Sequence, residues 1–286
     1  MIMIDRRGFL AVAAATLAAP SLVRAQSTAR VITVGGALTE IVFRLDAQRH
    51  LVATDTTSTY PEAALALPKI GYQRSLSAEG LLALSPTLLL ASADAGPPAA
   101  LQQLVAAGVT IVRTHGDHTF DSLLANVDQV AVSLSLAREG KSLADKLRAQ
   151  WKATRAAIIT ESPPRVLFLL SHAANNVQVA GAGTAADAMI GFAGGINALS
   201  GFNGYRPLSP EAAIAAAPDV ILCTREGTDA LGGVDAVLSR PGLALTPAGR
   251  ARRVLAPDAL LLLGFGPRLP HAVRELAQGL GTLKAG

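Results

Sequence analysis

Apolar positions along this 286-residue chain alternate between strand-length runs and helix-length amphipathic stretches. RVITV (Arg30 to Val34) is followed by the Gly35-Gly36 turn and a helical TEIVFRL, and HLVATD, TLLLAS and VTIVRT read as further strands. From about Ser122 to Thr160 turn signals nearly vanish. Apart from Gly140, this stretch is rich in Ala, Leu, Lys, Arg and Glu with apolar residues at helical spacing, which predicts one long helix. Ser162-Pro163-Pro164 ends it, because proline halts a helix and starts extended chain. A second series follows: strands in PRVLFLLS, VQVAG, DVILCT and RRVLA, a helix in TAADAMIGFAGG, and a last helix from about Pro270. Alternating strands and helices predict an α/β fold with parallel sheet. The expected organisation is a lobe over 30–121, a connecting helical segment over 122–161 and a lobe over 164–286.

An internal repeat supports two lobes. LSAEGLLALSPTLLLAS (Leu76 to Ser92) and LSPEAAIAAAPDVILCT (Leu208 to Thr224) align without a gap: a serine, a glutamate two later, a proline nine after the serine, then an apolar strand. Ser77 and Ser209 are expected as helix N-caps, with Glu79 and Glu211 in the first turns. The plainest reading of both glutamates is a favourable interaction with a helix dipole.

Composition narrows the class. Half the residues are apolar and 4% aromatic, enough for one large core or two smaller ones. Residues 1–25 have the layout of an export signal: Arg6 and Arg7, an apolar stretch from Gly8 to Val23, and small residues for cleavage near Ala25. The paired arginines resemble the twin-arginine signal, which implies export in the folded state. Without that segment the chain holds 22 basic and 20 acidic side chains, too balanced to suggest a nucleic-acid partner. Cys223, the sole cysteine, excludes an internal disulfide and reads as a buried strand residue.

The candidate chemistry is sparse. PKIGYQRSL places Tyr72 between Lys69 and Arg74 in a chain with three tyrosines. A phenolate is a hard anionic oxygen donor suited to ferric iron, and a neighbouring cation eases its ionisation; a solvated turn is the alternative. Thr114-His115-Gly116-Asp117-His118 has metal-like composition but only part of a zinc donor set, so His115 and His118 are either loop or cleft residues. Tyr60 in STYP and His172 after VLFLLS are further cleft candidates. GAGTAA (Gly181 to Ala186) echoes a dinucleotide fingerprint only loosely, and no GxSxG, HExxH, phosphate-loop or CxxCH motif occurs, so catalysis and covalent haem attachment have no motif support.

Over about Arg30 to Leu280 the chain resembles the substrate-binding proteins of bacterial ABC importers for iron complexes and cobalamin, and most of all the periplasmic haem-binding proteins. The resemblance rests on VGGALTEIVFRLDA, TTSTYPEAALALPKIGYQRSLSAEGLLALSP, QVAGAGTAADAMIGFAGGINAL, GYRPLSPEA and LLGFGPR. It implies two Rossmann-like lobes joined by a single long helix, with modest closure on binding. It implies a periplasmic protein that captures ferric haem (haem b) between the lobes and delivers it to an inner-membrane permease dimer, downstream of an outer-membrane haem receptor pathway. The family's axial tyrosine maps onto Tyr72, with Arg74 and Lys69 as partners for phenolate or propionate charge, and its two permease-docking glutamates map onto Glu79 and Glu211. Some relatives hold a second haem with a histidine beyond the AGG helix, where this chain has Gly201 and Phe202. A ferric siderophore or cobalamin binder and an exported metal-dependent α/β enzyme using His115 and His118 are the alternatives.

Overall fold

A computed structural model describes residues 29–159, 161–171 and 177–284. The export segment expected over residues 1–25, and His172, lie outside the described residues. The first lobe contains β1 (Val31–Val34), α1 (Gly36–Arg44), β2 (Leu51–Thr54), α2 (Ala78–Leu82), β3 (Leu88–Ala91), α3 (Pro98–Ala106) and β4 (Thr110–Arg113). Its sheet is wholly parallel in the order β2-β1-β3-β4, with Val31 beside both Leu51 and Leu88. β1 and β3 are buried on both faces, as covered parallel strands must be. Val31, Leu88 and Leu90 join one apolar cluster, and Ile32, Leu89 and Ala91 another, following the two-residue period of a strand.

The second lobe contains β5 (Arg165–Ser171), β6 (Val177–Ala180), α6 (Ala185–Phe192), β7 (Ile196–Asn197), β8 (Tyr205–Pro207), α7 (Pro210–Ala216), β9 (Val220–Leu222), α8 (Arg225–Ala230), α9 (Val234–Leu238), α10 (Pro247–Arg250), β10 (Val254–Leu255), α11 (Ala259–Leu263) and α12 (Leu269–Leu280). Its sheet runs β10-β9-β5-β6-β8, with β7 beside the start of β5. The first half of β5 pairs in parallel with β7 and β9, whereas its last three residues pair antiparallel with β6, which in turn pairs antiparallel with β8. This sheet is therefore mixed.

The connecting segment differs from the expected single helix. It is α4 (Phe120–Ser133) and α5 (Ala137–Ala156), broken at Leu134-Ser135-Leu136, with Ser135 in the left-handed region at φ 60°. α4 packs on α1 and β4 of the first lobe, and α5 on α4 and α12. Gly140 sits inside α5 because a Cβ there would lie 2.4 Å from Cβ of Ala131, so its small size sets the close approach of the two helices. One continuous apolar cluster runs through Ile41, Val127, Leu147, Phe168 and Val273, so the lobes and the segment between them share a core. No helix of the described residues is long and apolar enough to cross a membrane.

Candidate functional site

A cavity of about 450 Å³ lies between the lobes. The first lobe supplies loops that follow the carboxyl ends of its strands, where open α/β sheets place their ligands. Asp55 shapes one of them: it accepts hydrogen bonds from Gly35 N (3.0 Å), Thr57 N (3.1 Å), Thr57 Oγ1 (2.6 Å) and Ser58 Oγ (2.8 Å). The second lobe supplies an apolar wall of Leu260, Leu263 and Phe265. The lobes approach closely at Gly36, where a Cβ would fall 2.6 Å from the Leu260 side chain.

Tyr72 lines this cavity with 42% of its surface exposed, so its phenol is not sequestered in a core. Arg74, two residues on, donates from Nη2 to Asp94 Oδ2 at 2.7 Å. Asp94 keeps Arg74 firmly protonated, with smaller contributions from Tyr72 and, across the cleft, Tyr205. Burial raises the Tyr205 pKa, opposed by a hydrogen bond with Thr184 and by Arg74, so Tyr205 stays a protonated phenol. Lys69 is placed otherwise. Its ammonium donates to Thr54 Oγ1 (2.8 Å), Ser58 O (3.0 Å) and Ala64 O (3.0 Å), which uses all three of its donors inside the first lobe. It braces the loop that carries Ser58 and has no donor left for a ligand carboxylate.

His115 and His118 both line the cavity. His118 lies against Phe265 with ring centroids 5.1 Å apart. Burial lowers its pKa, with Asp94 and Asp117 opposing, so the imidazole is neutral at pH 7. Among the described residues no group of three or more His, Cys, Asp or Glu is arranged to hold a metal ion. Tyr60 sits at the lobe junction, where the Arg268 guanidinium stacks 3.7 Å from its ring centre. Burial raises the Cys223 thiol pKa to about 12, so it is an inert core residue.

Ser77 and Ser209 are the expected caps: each hydroxyl accepts from the backbone N–H three residues later, at 3.3 Å from Gly80 and 3.1 Å from Ala212. Glu79 and Glu211 stand exposed in the first turns, one on each lobe. Gln73, Asp94, Asn126 and Phe265 also line the cavity and had not been singled out from the sequence. Phe265 carried a signal, the LLGFGPR segment, and its positive φ of 52° turns it at the cavity wall.

A family model described as "Periplasmic binding protein" matches residues 31–259. The chain is similar to the solved structure of the periplasmic heme-binding protein BhuT in complex with two hemes: 51% identity, 88% of this chain and 97% of that one, TM-score 0.84. It is also similar to the periplasmic heme-binding protein RhuT from Roseiflexus sp. RS-1 in apo form, at 44% identity over 88% and 97% of the two chains with a TM-score of 0.85. A vitamin B12-binding protein of Vibrio campbellii is 28% identical over 198 residues, 68% of this chain and 70% of that protein.

Proposed function

This chain belongs to the periplasmic binding protein family, and from that premise we propose that it captures ferric haem in the interlobe cavity and delivers it to an ABC importer in the inner membrane. The observation that carries this reading is Tyr72, a phenol exposed at the cavity beside the Arg74 guanidinium and across from the apolar wall of Leu260, Leu263 and Phe265. An anionic oxygen ligand, a cation for the propionates and an apolar surface for the macrocycle are what ferric haem asks of a site. Strong similarity along the chain to two proteins described as heme-binding supports the same ligand.

Capture follows from these groups. Tyr72 ligates the iron, whose charge favours the phenolate. Arg74 pairs with a propionate in the planar, two-pronged way a guanidinium allows. Phe265 and its leucine neighbours exclude water from the porphyrin face, and His118, uncharged, lies along the same wall. Because the lobes share a core across α1, α5 and α12, opening and closing are small. Glu79 and Glu211, one on each lobe, dock on the two halves of the permease dimer. The chain is exported with its first 25 residues removed, and its haem comes by way of an outer-membrane receptor pathway.

Absorption spectra of the purified protein mixed with hemin, with cyanocobalamin and with a ferric siderophore test the ligand. A high-spin ferric tyrosinate spectrum with hemin alone is expected; a response to cobalamin or siderophore without one to hemin overturns the reading. BhuT is described with two hemes, and the end point of the hemin titration counts how many this cavity takes.

A further inference from the structure

We propose that Asp94 is a carboxylate placeholder: it occupies the place on Arg74 that a haem propionate takes, and binding exchanges the one for the other. This inference rests on the haem reading above and adds to it a residue that sets how strongly ligand carboxylates are held. Asp94 and Glu226 are carboxylates lining the cavity among the described residues, and their surroundings differ. Glu226 is committed to the second lobe, accepting from Ala259 N at 3.0 Å and from Arg225 at 3.2 Å. Asp94 has Arg74 as its hydrogen-bond partner, at 2.7 Å.

The placement is built into the backbone. Asp94 lies in the turn after β3, and that turn is clamped to the tyrosine segment by Gly96 N donating to Gln73 O (2.9 Å) and Leu76 N donating to Gly96 O (2.9 Å). These bonds set the carboxylate opposite the guanidinium. Electrostatics supplies the reason for exchange. A cleft that receives an anionic ligand on a phenolate oxygen gains nothing from a further carboxylate, because like charges repel. Paired with Arg74, however, Asp94 keeps an otherwise lone guanidinium satisfied and aimed. The pair is also easily broken, with side chains 59% and 57% exposed, since ion pairs in solvent are weak. Arg74, His118 and Tyr205 are the groups that feel the Asp94 charge, and Arg74 is the one in contact with it.

Binding of hemin and of its dimethyl ester, whose propionates carry no charge, separates this role from a merely structural one. Asp94→Asn and Asp94→Ala are expected to tighten hemin roughly two- to fivefold, the range an exposed ion pair allows, and to leave the ester unchanged. In an Arg74→Ala background the same substitutions are expected to change neither ligand. Equal effects on hemin and ester, weaker hemin binding, or an effect that persists without Arg74 overturns the placeholder while leaving haem binding intact. A parent protein that binds neither ligand overturns the haem reading and this inference with it.

Discussion

Arg268 grips Glu40 across the lobe junction, donating from Nε and Nη2 to the two carboxylate oxygens at 2.9 and 2.7 Å. Glu40 lies on α1 of the first lobe and is 3% exposed, while Arg268 precedes α12 of the second and is 19% exposed. Burial pushes the Glu40 carboxyl pKa up and Arg268 pulls it back, and the two-pronged contact keeps the pair ionised. The same guanidinium stacks on Tyr60. Gly266, two residues earlier, lets the chain pass close to Ala37, 3.2 Å from where a Cβ would stand.

Removing one partner of this pair strands a buried charge, which typically costs about 3–5 kcal/mol. Arg268→Ala is therefore expected to lower the thermal midpoint by roughly 6 °C or more, given a shift of about 2–4 °C per kcal/mol in chains near this size. The double variant Glu40→Gln, Arg268→Met, which leaves no charge behind, is expected to recover part of that loss. Calorimetry on the three proteins checks this, and an Arg268→Ala midpoint equal to the parent's contradicts it.

His118 gives a pH dependence whose sign is fixed by its burial. Its folded-state pKa is below that of the unfolded chain, so the unfolded state takes up the proton first. Its contribution to stability is complete above the ordinary histidine pKa of about 6.5 and is lost as pH falls below it. His118→Phe keeps a ring against Phe265 without the titration. Thermal midpoints at pH 7.5 and pH 5.5 are expected to differ less in the variant than in the parent; an equal difference removes His118 from the account.

Trp151, the sole tryptophan, reports on the cavity from outside it. Its ring lies edge-on to Phe192 at 5.0 Å, and Phe192 lies 6.3 Å from Phe265 on the cavity wall. Hemin absorbs where tryptophan emits, so titration is expected to quench the fluorescence to a plateau. Tyr72→Phe is expected to move the midpoint of that curve to higher hemin concentration. Fluorescence that falls linearly without saturating points to nonspecific binding.

Glu79 and Glu211 separate docking from helix stabilisation. As dipole partners alone, each is worth a few tenths to about 1 kcal/mol, and glutamine in their place leaves transport nearly normal. As docking residues, the double Glu79→Gln, Glu211→Gln variant is expected to bind haem like the parent and to fail to stimulate the importer's ATPase in reconstituted vesicles. Normal stimulation by the folded, haem-loaded variant defeats docking and leaves the haem site untouched.

The strands of the first lobe were legible because each is a short apolar run bounded by turn residues, as VITV before Gly35 shows. The small strands of the second sheet were harder to read: β7, parallel to β5, and β8, antiparallel to β6, have two and three residues, too few for a period to register. The break between α4 and α5 was hidden because Ser135 takes the left-handed position usually given to glycine, while the nearby glycine, Gly140, serves helix packing. In the site, Tyr72 and Arg74 were visible as a local motif. Lys69 belongs to the same segment, yet its side chain turns inward to three oxygens, which spacing along the chain does not encode. Asp94 and Phe265 reach the cavity from loops far apart in sequence and become neighbours of the tyrosine only through the fold.

The central claim, that Tyr72 supplies the iron ligand, is tested most directly by the ferric spectrum of Tyr72→Phe with hemin. The ring and its packing remain while the donor oxygen is gone. The tyrosinate charge-transfer band of the parent is expected to vanish in the variant even where hemin still partitions into the cavity. A band of the same position and intensity in Tyr72→Phe contradicts the account and assigns the iron to another residue.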